Sequence, residues 1–599
     1  MSQPTFDLRL ATLAEAYRRG EWTPRALLAD LREKALALNP EYQLFIHILT
    51  PEEQEPWLAA LDEVSPQMLP LYGVPFAIKD NINLAGITTT AACPAFARTA
   101  TEDATIVAQL IALGAIPVGK TNLDQFATGL NGTRSPYGRC RNAFHADYPS
   151  GGSSAGSALA VALGVASFAL GTDTAGSGRV PAALNNLTGL KASKGLISTA
   201  GVVPACRTLD CTTFFTATAD EASQLLALTA RRDPQDAYSR HNPLWNGRQA
   251  FGTPAPGFRF GVPQTLNFLG CPQSEALFMQ AKARLIALGG VPVNLDITPF
   301  LAAARLLYDG PWVAERYAIV GPLIEQQPDA VLPVIRDVLA KAPGIDAVAT
   351  FRAMYQLQTY KAECDALLET LDCVLTPTYP RPVTLAELEA EPVQRNADLG
   401  YYTNFMNLLD YAAVNVPVGF LANGLPSGVT LFGRAFTDQY LLGVADAFQR
   451  VQPLPLAGGT RLAGDASAAI ASHDRMPLVV CGAHLDGLAL NGQLRERGGR
   501  LLTATQSAPR YRLYALADGR RPGMVRDDNG GAAIAVEVWE LPSAELGSLL
   551  TAIPSPLGLG KVELADGRWL SGFICEGYGL QGACDITTYG GWRAWLARD

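Results

Sequence analysis

Histidine and charged side chains are scarce in this chain. Only five of its 599 residues are histidine, and charged residues make up 17% of the sequence. Histidine is the usual base that activates a serine or cysteine nucleophile, yet none of the five stands in a recognisable triad motif. If the chain carries a nucleophilic serine, we therefore expect a base of another kind.

Positive charge is also limited. Lysine and arginine number 47 against 56 aspartate and glutamate residues, which gives a formal net charge of −9. A nucleic-acid-binding protein needs a basic stripe that neutralises phosphates, and the sequence has no such stripe. We therefore predict that nucleic acid is not a partner.

Long apolar runs are absent. No run reaches the roughly 18 residues that a membrane-spanning helix needs. Residues 1–17 carry charges where a signal peptide would be apolar. These absences predict a cytoplasmic protein without a membrane partner.

The ten cysteines form no recognisable framework. No Cys-x-x-Cys pair occurs, and the closest pair, Cys206 and Cys211, has no histidine nearby. We expect the cysteines to be small buried packing residues in a reducing compartment. We predict no metal and no cofactor.

Length and composition indicate more than one domain, since 599 residues with 48% hydrophobic content exceed a single core. Alternating helices and short apolar strands across residues 70–230 predict an α/β core with a large mixed, mostly parallel sheet flanked by helices. A glycine-, alanine- and serine-rich stretch at 456–476, which follows Pro453 and Pro455, has the composition of a linker. We therefore predict a first domain over 1–455 and a smaller, mostly β domain over 477–599.

Two glycine-rich turns that carry serines stand out. Residues 151–157 read Gly-Gly-Ser-Ser-Ala-Gly-Ser, and residues 171–181 read Gly-Thr-Asp-Thr-Ala-Gly-Ser-Gly-Arg-Val-Pro. The apolar segment 158–170 between them predicts one buried helix. Glycines let the backbone approach a ligand and point several N–H groups at one developing oxyanion. The two turns are therefore a candidate active site.

Lys79 is the candidate base. It ends the apolar, strand-like run Gly73-Val74-Pro75-Phe76-Ala77-Ile78-Lys79. Burial disfavours a charged amine and lowers its pKa from about 10.4 toward neutrality. A neutral lysine can accept a proton from a serine.

In this order and spacing, Lys79 and the two turns resemble the amidase signature family of serine hydrolases. The resemblance covers roughly residues 1–455 and implies the fold of that family. It also implies a Ser-cisSer-Lys triad, in which Ser177 is the nucleophile, Ser153 bridges after a cis peptide bond from Gly152, and Lys79 is the base. The implied oxyanion hole consists of the N–H groups of Thr174, Ala175, Gly176 and Ser177.

The segment around Tyr308 and Arg316 is the candidate substrate-recognition element. Gly310-Pro311 should end one helix and start another, and an arginine fork matches a carboxylate. The segment resembles the region of allophanate hydrolases that holds the carboxylate of allophanate (urea-1-carboxylate). Read locally, a structural arginine paired with Glu315 or a distant acid is the alternative. Gly129 is expected to line the pocket by its family position.

The tail is a second point of resemblance. The strand and glycine turn before His484, taken with the rest of the tail, look like the accessory domain of allophanate hydrolases, which has a γ-glutamylcyclotransferase-like fold. That likeness implies decarboxylation of N-carboxycarbamate in this domain, with His484 at the matching position. A structural histidine is the alternative, and its role as acid, base or carboxylate binder stays open.

The resemblance further implies a homodimer and a functional link to a biotin-dependent urea carboxylase. Whether the pathway is urea or triazine breakdown stays open. Two alternatives remain for the function. One is an amidase for another small amide, and the other is a glutaminase-type component of an amidotransferase.

Overall fold

The structure is a computed structural model that describes residues 7–66, 68–456, 475–497 and 499–598. The chain divides into two compact units, one of residues 1–242 with 251–468 and one of residues 243–250 with 469–599. Most of the predicted linker at 456–476 lies outside the described residues. The predicted domain bounds stay predictions.

The first unit contains thirteen strands in the described ranges. They are β1 (Phe45–Ile48), β2 (Pro75–Lys79), β3 (Thr88–Thr89), β4 (Arg98–Thr99), β5 (Ile116–Thr121), β6 (Phe168–Asp173), β7 (Thr188–Lys191), β8 (Cys211–Thr216), β9 (Arg259–Pro263), β10 (Val291–Leu295), β11 (Cys373–Pro377), β12 (Tyr411–Phe420) and β13 (Pro426–Arg434).

Its described helices are α1 (Leu10–Arg18), α2 (Pro24–Tyr42), α3 (Pro51–Asp62), α4 (Thr105–Ala112), α5 (Ala155–Ala162), α6 (Val180–Leu184), α7 (Ala219–Thr229), α8 (Pro272–Ala287), α9 (Thr298–Asp309), α10 (Trp312–Gln326), α11 (Pro333–Leu339), α12 (Ala347–Leu368), α13 (Leu385–Ala390), α14 (Gln394–Leu399), α15 (Phe405–Leu408) and α16 (Asp438–Val451). Short 3-10 helices lie at Pro94–Phe96, Gln125–Ala127, Pro328–Ala330 and Ala342–Gly344.

The second unit contains β14 (Arg475–Val480), α17 (Asn491–Glu496), β15 (Arg500–Gln506), β16 (Tyr511–Ala515), β17 (Pro522–Arg526), β18 (Ala535–Pro542), α18 (Ser543–Ala552), β19 (Leu557–Glu563), β20 (Trp569–Cys575), β21 (Cys584–Asp585) and α19 (Trp592–Leu596). Its 3-10 helices are Leu244–Asn246, Arg248–Ala250, Gly577–Leu580 and Thr587–Tyr589. A five-stranded sheet, β15-β18-β14-β20-β19, and a three-stranded sheet, β17-β16-β21, confirm the predicted β character of the tail.

The first unit is built on one eleven-stranded sheet with the order β1-β5-β2-β6-β8-β7-β12-β13-β11-β9-β10. Only four of the ten neighbour pairings are parallel, namely β5–β2, β2–β6, β11–β9 and β9–β10. The prediction of an α/β core with a mixed sheet is confirmed, but the prediction that the sheet is mostly parallel is wrong. Residues 421–425 alone connect β12 to β13, which is too short for a parallel crossover, so such strands double back.

The part of this sheet around Lys79 is buried on both faces. Every residue of β2, β5 and β6 is buried, and so is every residue of α5. The helix predicted over 158–170 is shorter than expected, because α5 ends at Ala162 and β6 already begins at Phe168. The second serine turn therefore follows the end of a strand, β6.

Local capping signals explain where several helices begin. The Thr23 side chain accepts a hydrogen bond from the Ala26 N–H at the start of α2. Thr50 and Thr218 form capping boxes with Glu53 and Glu221 at the starts of α3 and α7. These side chains satisfy N–H groups that a helix leaves without partners.

Helix α5 lies so close to the backbone below it that only glycine fits at position 156. The Gly156 N–H donates to the Asn122 carbonyl at 2.9 Å. A Cβ atom at 156 would collide with the Leu44 carbonyl and lie 2.7 Å from the Asn122 nitrogen. The close approach fixes the start of α5, and with it the first serine turn.

We expect Gly156→Ala to destabilise the protein by about 1–3 kcal/mol, because the helix must move away from the backbone beneath it. Thermal unfolding measures the change as a lower Tm. Gly344→Ala is the matched control, since nothing lies within 4 Å of a Cβ atom there. Equal Tm values for the two variants would contradict the close packing.

Candidate active site

Lys79 ends the central strand β2 with its side chain fully buried. Its Nζ donates hydrogen bonds to Ser153 Oγ at 2.8 Å and to Thr172 Oγ1 at 2.7 Å. The structure thus brings together the candidate base and the candidate bridging serine, which are 74 residues apart in the sequence. Both partners are neutral hydroxyl groups, so no carboxylate of the described residues is in direct contact with the amine.

The environment lowers the pKa of Lys79 to about 7, chiefly because burial disfavours the charged amine. The negative charges of Asp124, Asp210 and Asp173 work against this and raise the pKa, whereas the positive charge of Arg316 lowers it. The amine is therefore neutral in a large fraction of molecules at neutral pH and can act as a base.

The first serine turn is held by Asp124. The peptide bond between Gly152 and Ser153 is cis, as expected, and the Asp124 N–H donates to the Ser153 carbonyl at 3.1 Å. The Asp124 carboxylate accepts hydrogen bonds from the N–H groups of Asn131 (3.2 Å), Gly132 (3.0 Å) and Arg134 (2.9 Å). A side chain at position 152 would collide with this carboxylate, so the turn requires glycine there.

The second serine turn is held by Asp173, at the end of β6. Its carboxylate accepts the N–H groups of Gly176 at 2.8 Å and Gly178 at 3.0 Å and pairs with Arg179 at 2.9 Å. Ser177 lies between these two amides and is only 2% exposed. Asp173 and Arg179 thus fix the shape of the turn. The hydroxyls of Thr172 and Thr174 contact Lys79 and Asp210, whereas the Ser177 hydroxyl has no hydrogen-bond partner in the described residues.

The second serine turn differs from the prediction in its free N–H groups and in its link to Ser153. The Gly176 N–H is not free for an oxyanion, because it already donates to Asp173, and this corrects the predicted set of four amides. Within the described residues, the N–H groups of Thr174, Ala175 and Ser177 have no acceptor. No hydrogen bond joins Ser153 to Ser177 in the described part of the chain, so the last link of the predicted triad stays a prediction.

The predicted helix break at Gly310-Pro311 is confirmed, since α9 ends at Asp309 and α10 begins at Trp312. Tyr308 lies in the last turn of α9, and the Arg316 guanidinium sits 5.8 Å from the centre of its ring. Gly129 follows Thr128, whose Oγ1 accepts a hydrogen bond from Arg316 Nη1 at 3.1 Å. These sequence-predicted residues therefore lie close to one another.

Arg316 is buried without an acidic partner. It is 2% exposed, its Nε has no hydrogen-bond partner, and no ion pair joins it to any described carboxylate. The alternative of a structural pair with Glu315 does not hold, because Glu315 instead accepts hydrogen bonds from Thr208. A buried guanidinium with an unused donor is suited to bind an anion.

His484 belongs to the second unit and has surroundings of its own. Its Nε2 lies 3.1 Å from Gln493 Oε1, and its ring stacks on Phe573 with 4.8 Å between ring centres. Burial lowers the pKa of this imidazole, which favours its neutral form. A half-buried, neutral histidine beside an amide can exchange a proton with a ligand.

Sequence reasoning missed three residues of the first site, namely Thr172, Asp124 and Asp210. Thr172 stands inside the quoted glycine-rich run but carries no signal that it contacts Lys79. Asp124 and Asp210 follow apolar or turn segments, where an acid is usually a surface group. Their importance depends on contacts that only the folded chain shows.

The described residues include no group of three or more His, Cys, Asp or Glu side chains that could hold a metal ion. All ten cysteines are free, and eight are buried. Among the described helices, none has both the length and the apolar character needed to cross a bilayer.

A buried lysine at the end of an interior strand, hydrogen-bonded to the serine of one glycine-rich turn and to a residue of a second serine-bearing run, is the arrangement expected of an amidase. Residues 26–442 match the family model described as Amidase, and the chain belongs to this family. Residues 476–597 match a second model, described as the allophanate hydrolase C-terminal domain.

Individual relatives extend this picture. The chain is 42% identical over 556 residues to the urea amidolyase of Saccharomyces cerevisiae, with 88% of the chain aligned to 30% of that protein. It therefore spans about a third of the length of such relatives. The structure matches that of the Kluyveromyces lactis allophanate hydrolase with a TM-score of 0.75 and 37% identity over 99% of both chains. One component of the glutamyl-tRNA(Gln) amidotransferase of a Roseiflexus species is 32% identical, with 74% of the chain aligned to 96% of it.

The pKa of Lys79 predicts the pH dependence of amide hydrolysis. Because the base works only when neutral, we expect kcat/KM for an uncharged amide to fall as the pH drops through about 7. Asp210→Asn should move this acid limb to lower pH, since it removes a negative charge that raises the pKa of Lys79. Arg316→Gln should move it to higher pH, since it removes a positive charge. Shifts in the same direction in both variants would contradict the assignment of the limb to Lys79.

Proposed function

We propose that this chain is an allophanate hydrolase that acts with a Ser177–Ser153–Lys79 triad. The observation that carries the proposal is the buried Arg316 guanidinium, which has an unused donor and influences the pKa of Lys79. An amidase whose buried cation also acts electrostatically on its base is suited to a small amide with a carboxylate. Allophanate has this combination, and the similarity to allophanate hydrolases and urea amidolyases supports the choice.

Substrate orientation comes first in the proposed mechanism. Arg316 and Tyr308 hold the carboxylate, so that the terminal carboxamide carbon lies against Ser177 Oγ. Fixing the substrate in this way replaces a bimolecular encounter by a positioned reaction and can supply several kcal/mol of the barrier. Gly129, next to Thr128, lines the same side of the pocket.

Acylation follows. Neutral Lys79 donates to Thr172 and turns its lone pair to Ser153, which passes on the proton that it takes from Ser177. The tetrahedral oxyanion is stabilised by the N–H groups of Thr174, Ala175 and Ser177. The relayed proton returns to the leaving nitrogen, the carbon–nitrogen bond breaks, and ammonia departs. Water then hydrolyses the acyl-enzyme and releases N-carboxycarbamate.

The second unit is proposed to act on this product, with a γ-glutamylcyclotransferase-like fold. N-carboxycarbamate takes up one proton and loses one carboxyl group as CO2, which leaves carbamate, and carbamate decays to a second ammonia. His484, which contacts Gln493 and Phe573, would donate that proton or bind a carboxylate. The match of residues 476–597 to the allophanate hydrolase C-terminal domain supports this step.

The proposal also has a cellular setting. Allophanate is a carboxylated urea, so a biotin-dependent urea carboxylase is the expected supplier of substrate, and the similarity to urea amidolyases supports that link. We propose that the chain works as a cytoplasmic homodimer in urea degradation.

The similarity to the glutamyl-tRNA(Gln) amidotransferase component favours a second candidate function, the hydrolysis of glutamine to deliver ammonia to a partner. Glutamine hydrolysis at a rate comparable with allophanate hydrolysis would favour it. The C-terminal unit that follows the amidase match argues for the first candidate, since that relative aligns with only 74% of the chain.

Arg316→Met tests the substrate assignment. We expect kcat/KM for allophanate to fall about 30-fold or more, because a buried carboxylate would lose its charged partner. Biuret, in which an amide replaces the carboxylate, should lose far less. Ammonia release at a pH well above 7 measures both, so that the altered pKa of Lys79 does not interfere.

Ser177→Ala is the reference for zero activity in that experiment, and it should abolish ammonia release from both substrates. Substantial remaining turnover would remove Ser177 as the nucleophile. Equal losses for allophanate and biuret in Arg316→Met would refute recognition of the carboxylate.

His484→Ala tests the second step. We expect the first ammonia to be released at the wild-type rate while a carboxylated product accumulates, which 13C NMR of labelled allophanate can follow. His47→Ala is the matched control, because that histidine pairs with Glu53 in the first unit. Unchanged product formation in His484→Ala would make this histidine structural.

A further inference from the structure

The turn formed by residues 205–210, here called the spacer turn, is held at both ends by parts of the candidate active site. On one side it contacts the second serine turn, which supplies the oxyanion amides. On the other side it contacts the first turn of helix α10, which carries Arg316. None of its residues is among the triad or the anion-binding groups assigned above.

The contact with the oxyanion amides runs through Asp210, a buried carboxylate at the end of the spacer turn. Asp210 Oδ1 accepts a hydrogen bond from Thr174 Oγ1. Its two oxygens also accept the N–H groups of Ala205 at 2.8 Å and Cys206 at 3.2 Å. One carboxylate therefore closes the spacer turn on itself and fixes the side chain of Thr174, whose N–H group has no acceptor within the described residues.

Asn407 provides a second link on the same side. Its Nδ2 donates to the carbonyls of Asp173 at 2.7 Å and Leu209 at 3.0 Å. Asp173 is the residue that shapes the second serine turn, and Leu209 belongs to the spacer turn. The two turns are thus joined by a side-chain bridge as well as by Asp210.

The contact with α10 runs through Glu315, the neighbour of Arg316. The Thr208 N–H donates to Glu315 Oε1 at 2.8 Å, and the Thr208 hydroxyl donates to Oε2 at 2.7 Å. Cys206 Sγ also lies 3.5 Å from the Trp312 carbonyl. Both contacts fall on the first turn of α10, so the spacer turn restrains the position of the helix that presents Arg316.

We propose that the spacer turn sets the distance between Arg316 and the oxyanion amides, with Asp210 and Glu315 as positioning residues that select substrate length. This inference rests on the proposed function. In allophanate a single nitrogen separates the carboxylate from the reacting carbonyl. A site whose two anchors cannot move apart accepts that length and disfavours a longer amide.

Glu315→Ala tests the end of the spacer turn that contacts α10. Malonamate has the length of allophanate and succinamate is one methylene longer, and a fixed site should distinguish them about tenfold or more. We expect Glu315→Ala to reduce the ratio of kcat/KM for malonamate to that for succinamate to within about threefold. Its KM for malonamate should rise while kcat changes little.

Glu325→Ala is the matched control for this variant. Glu325 has the same charge near the other end of α10 but accepts a hydrogen bond from Tyr317 instead of the spacer turn. The control should keep the wild-type length preference. If Glu315→Ala lowers turnover of both amides equally and leaves the ratio unchanged, the spacer turn has no role in selection and the proposal fails.

The oxyanion end is tested by a double-mutant cycle between Asp210→Asn and Thr174→Val, read as kcat on biuret. Thr174→Val removes the donor of this hydrogen bond, and Asp210→Asn replaces its charged acceptor by a neutral amide, so each should lower kcat about tenfold, and the double variant should be no slower than the slower single variant. Thr174→Ser keeps the hydroxyl and should restore kcat. Independent, additive losses would overturn the positioning role, and Thr174→Val alone tests the bond if Asp210→Asn does not fold.

Failure of the proposed function would look different. A wild-type protein that hydrolyses biuret but neither allophanate nor malonamate would refute the substrate assignment. The coupling between positions 210 and 174 would then still be measurable on biuret, and its absence would refute the spacer turn separately.

Discussion

The burial of one amine determines how the rest of the site is arranged. Lys79 sits at the end of a strand with no exposed surface, and its only hydrogen-bond partners in the described residues are two hydroxyl groups. A charged amine in such a place is costly, so its pKa falls to about 7 and the amine can accept a proton near neutral pH. Because the buried amine cannot reach solvent, its hydrogen-bond partners are supplied by the protein, and one of them is Ser153 in the first serine turn.

Three carboxylates shape this site, and none of them forms a direct ion pair with Lys79. Asp124 holds the first serine turn, Asp173 holds the second, and Asp210 holds the spacer turn. Each spends its oxygens on N–H groups, hydroxyls or an arginine. Their charges raise the pKa of Lys79 only from a distance, and burial outweighs them. The aspartates therefore hold the turns in shape, while the groups in direct contact with the candidate base Lys79 are hydroxyls.

The sequence predicts those parts of the site whose signal is local. Lys79 follows an apolar run, and the two serine turns are marked by glycine, so strand, turn and cis bond are all as expected. The direction of strands is not a local property, which explains why the sheet is less parallel than predicted. The role of Asp210 was equally hidden, since Thr174 lies 36 residues away and the two meet only in the fold. The Gly176 N–H was predicted to bind the oxyanion but donates to Asp173. The sequence does not show this contact, because an aspartate in a turn is usually exposed to solvent.

The charge of Arg316 shows why the site needs its surrounding acids. A buried guanidinium without a paired carboxylate is expensive, and burial by itself lowers its pKa. The nearby groups Cys206, Tyr308, Asp210 and Glu315 act in the opposite direction, and the net result is a raised pKa. Asp210 and Glu315 are held by the spacer turn, so neither can swing across to form the ion pair. Arg316 therefore stays charged and keeps its Nε free, which is the condition that a carboxylate-bearing substrate requires.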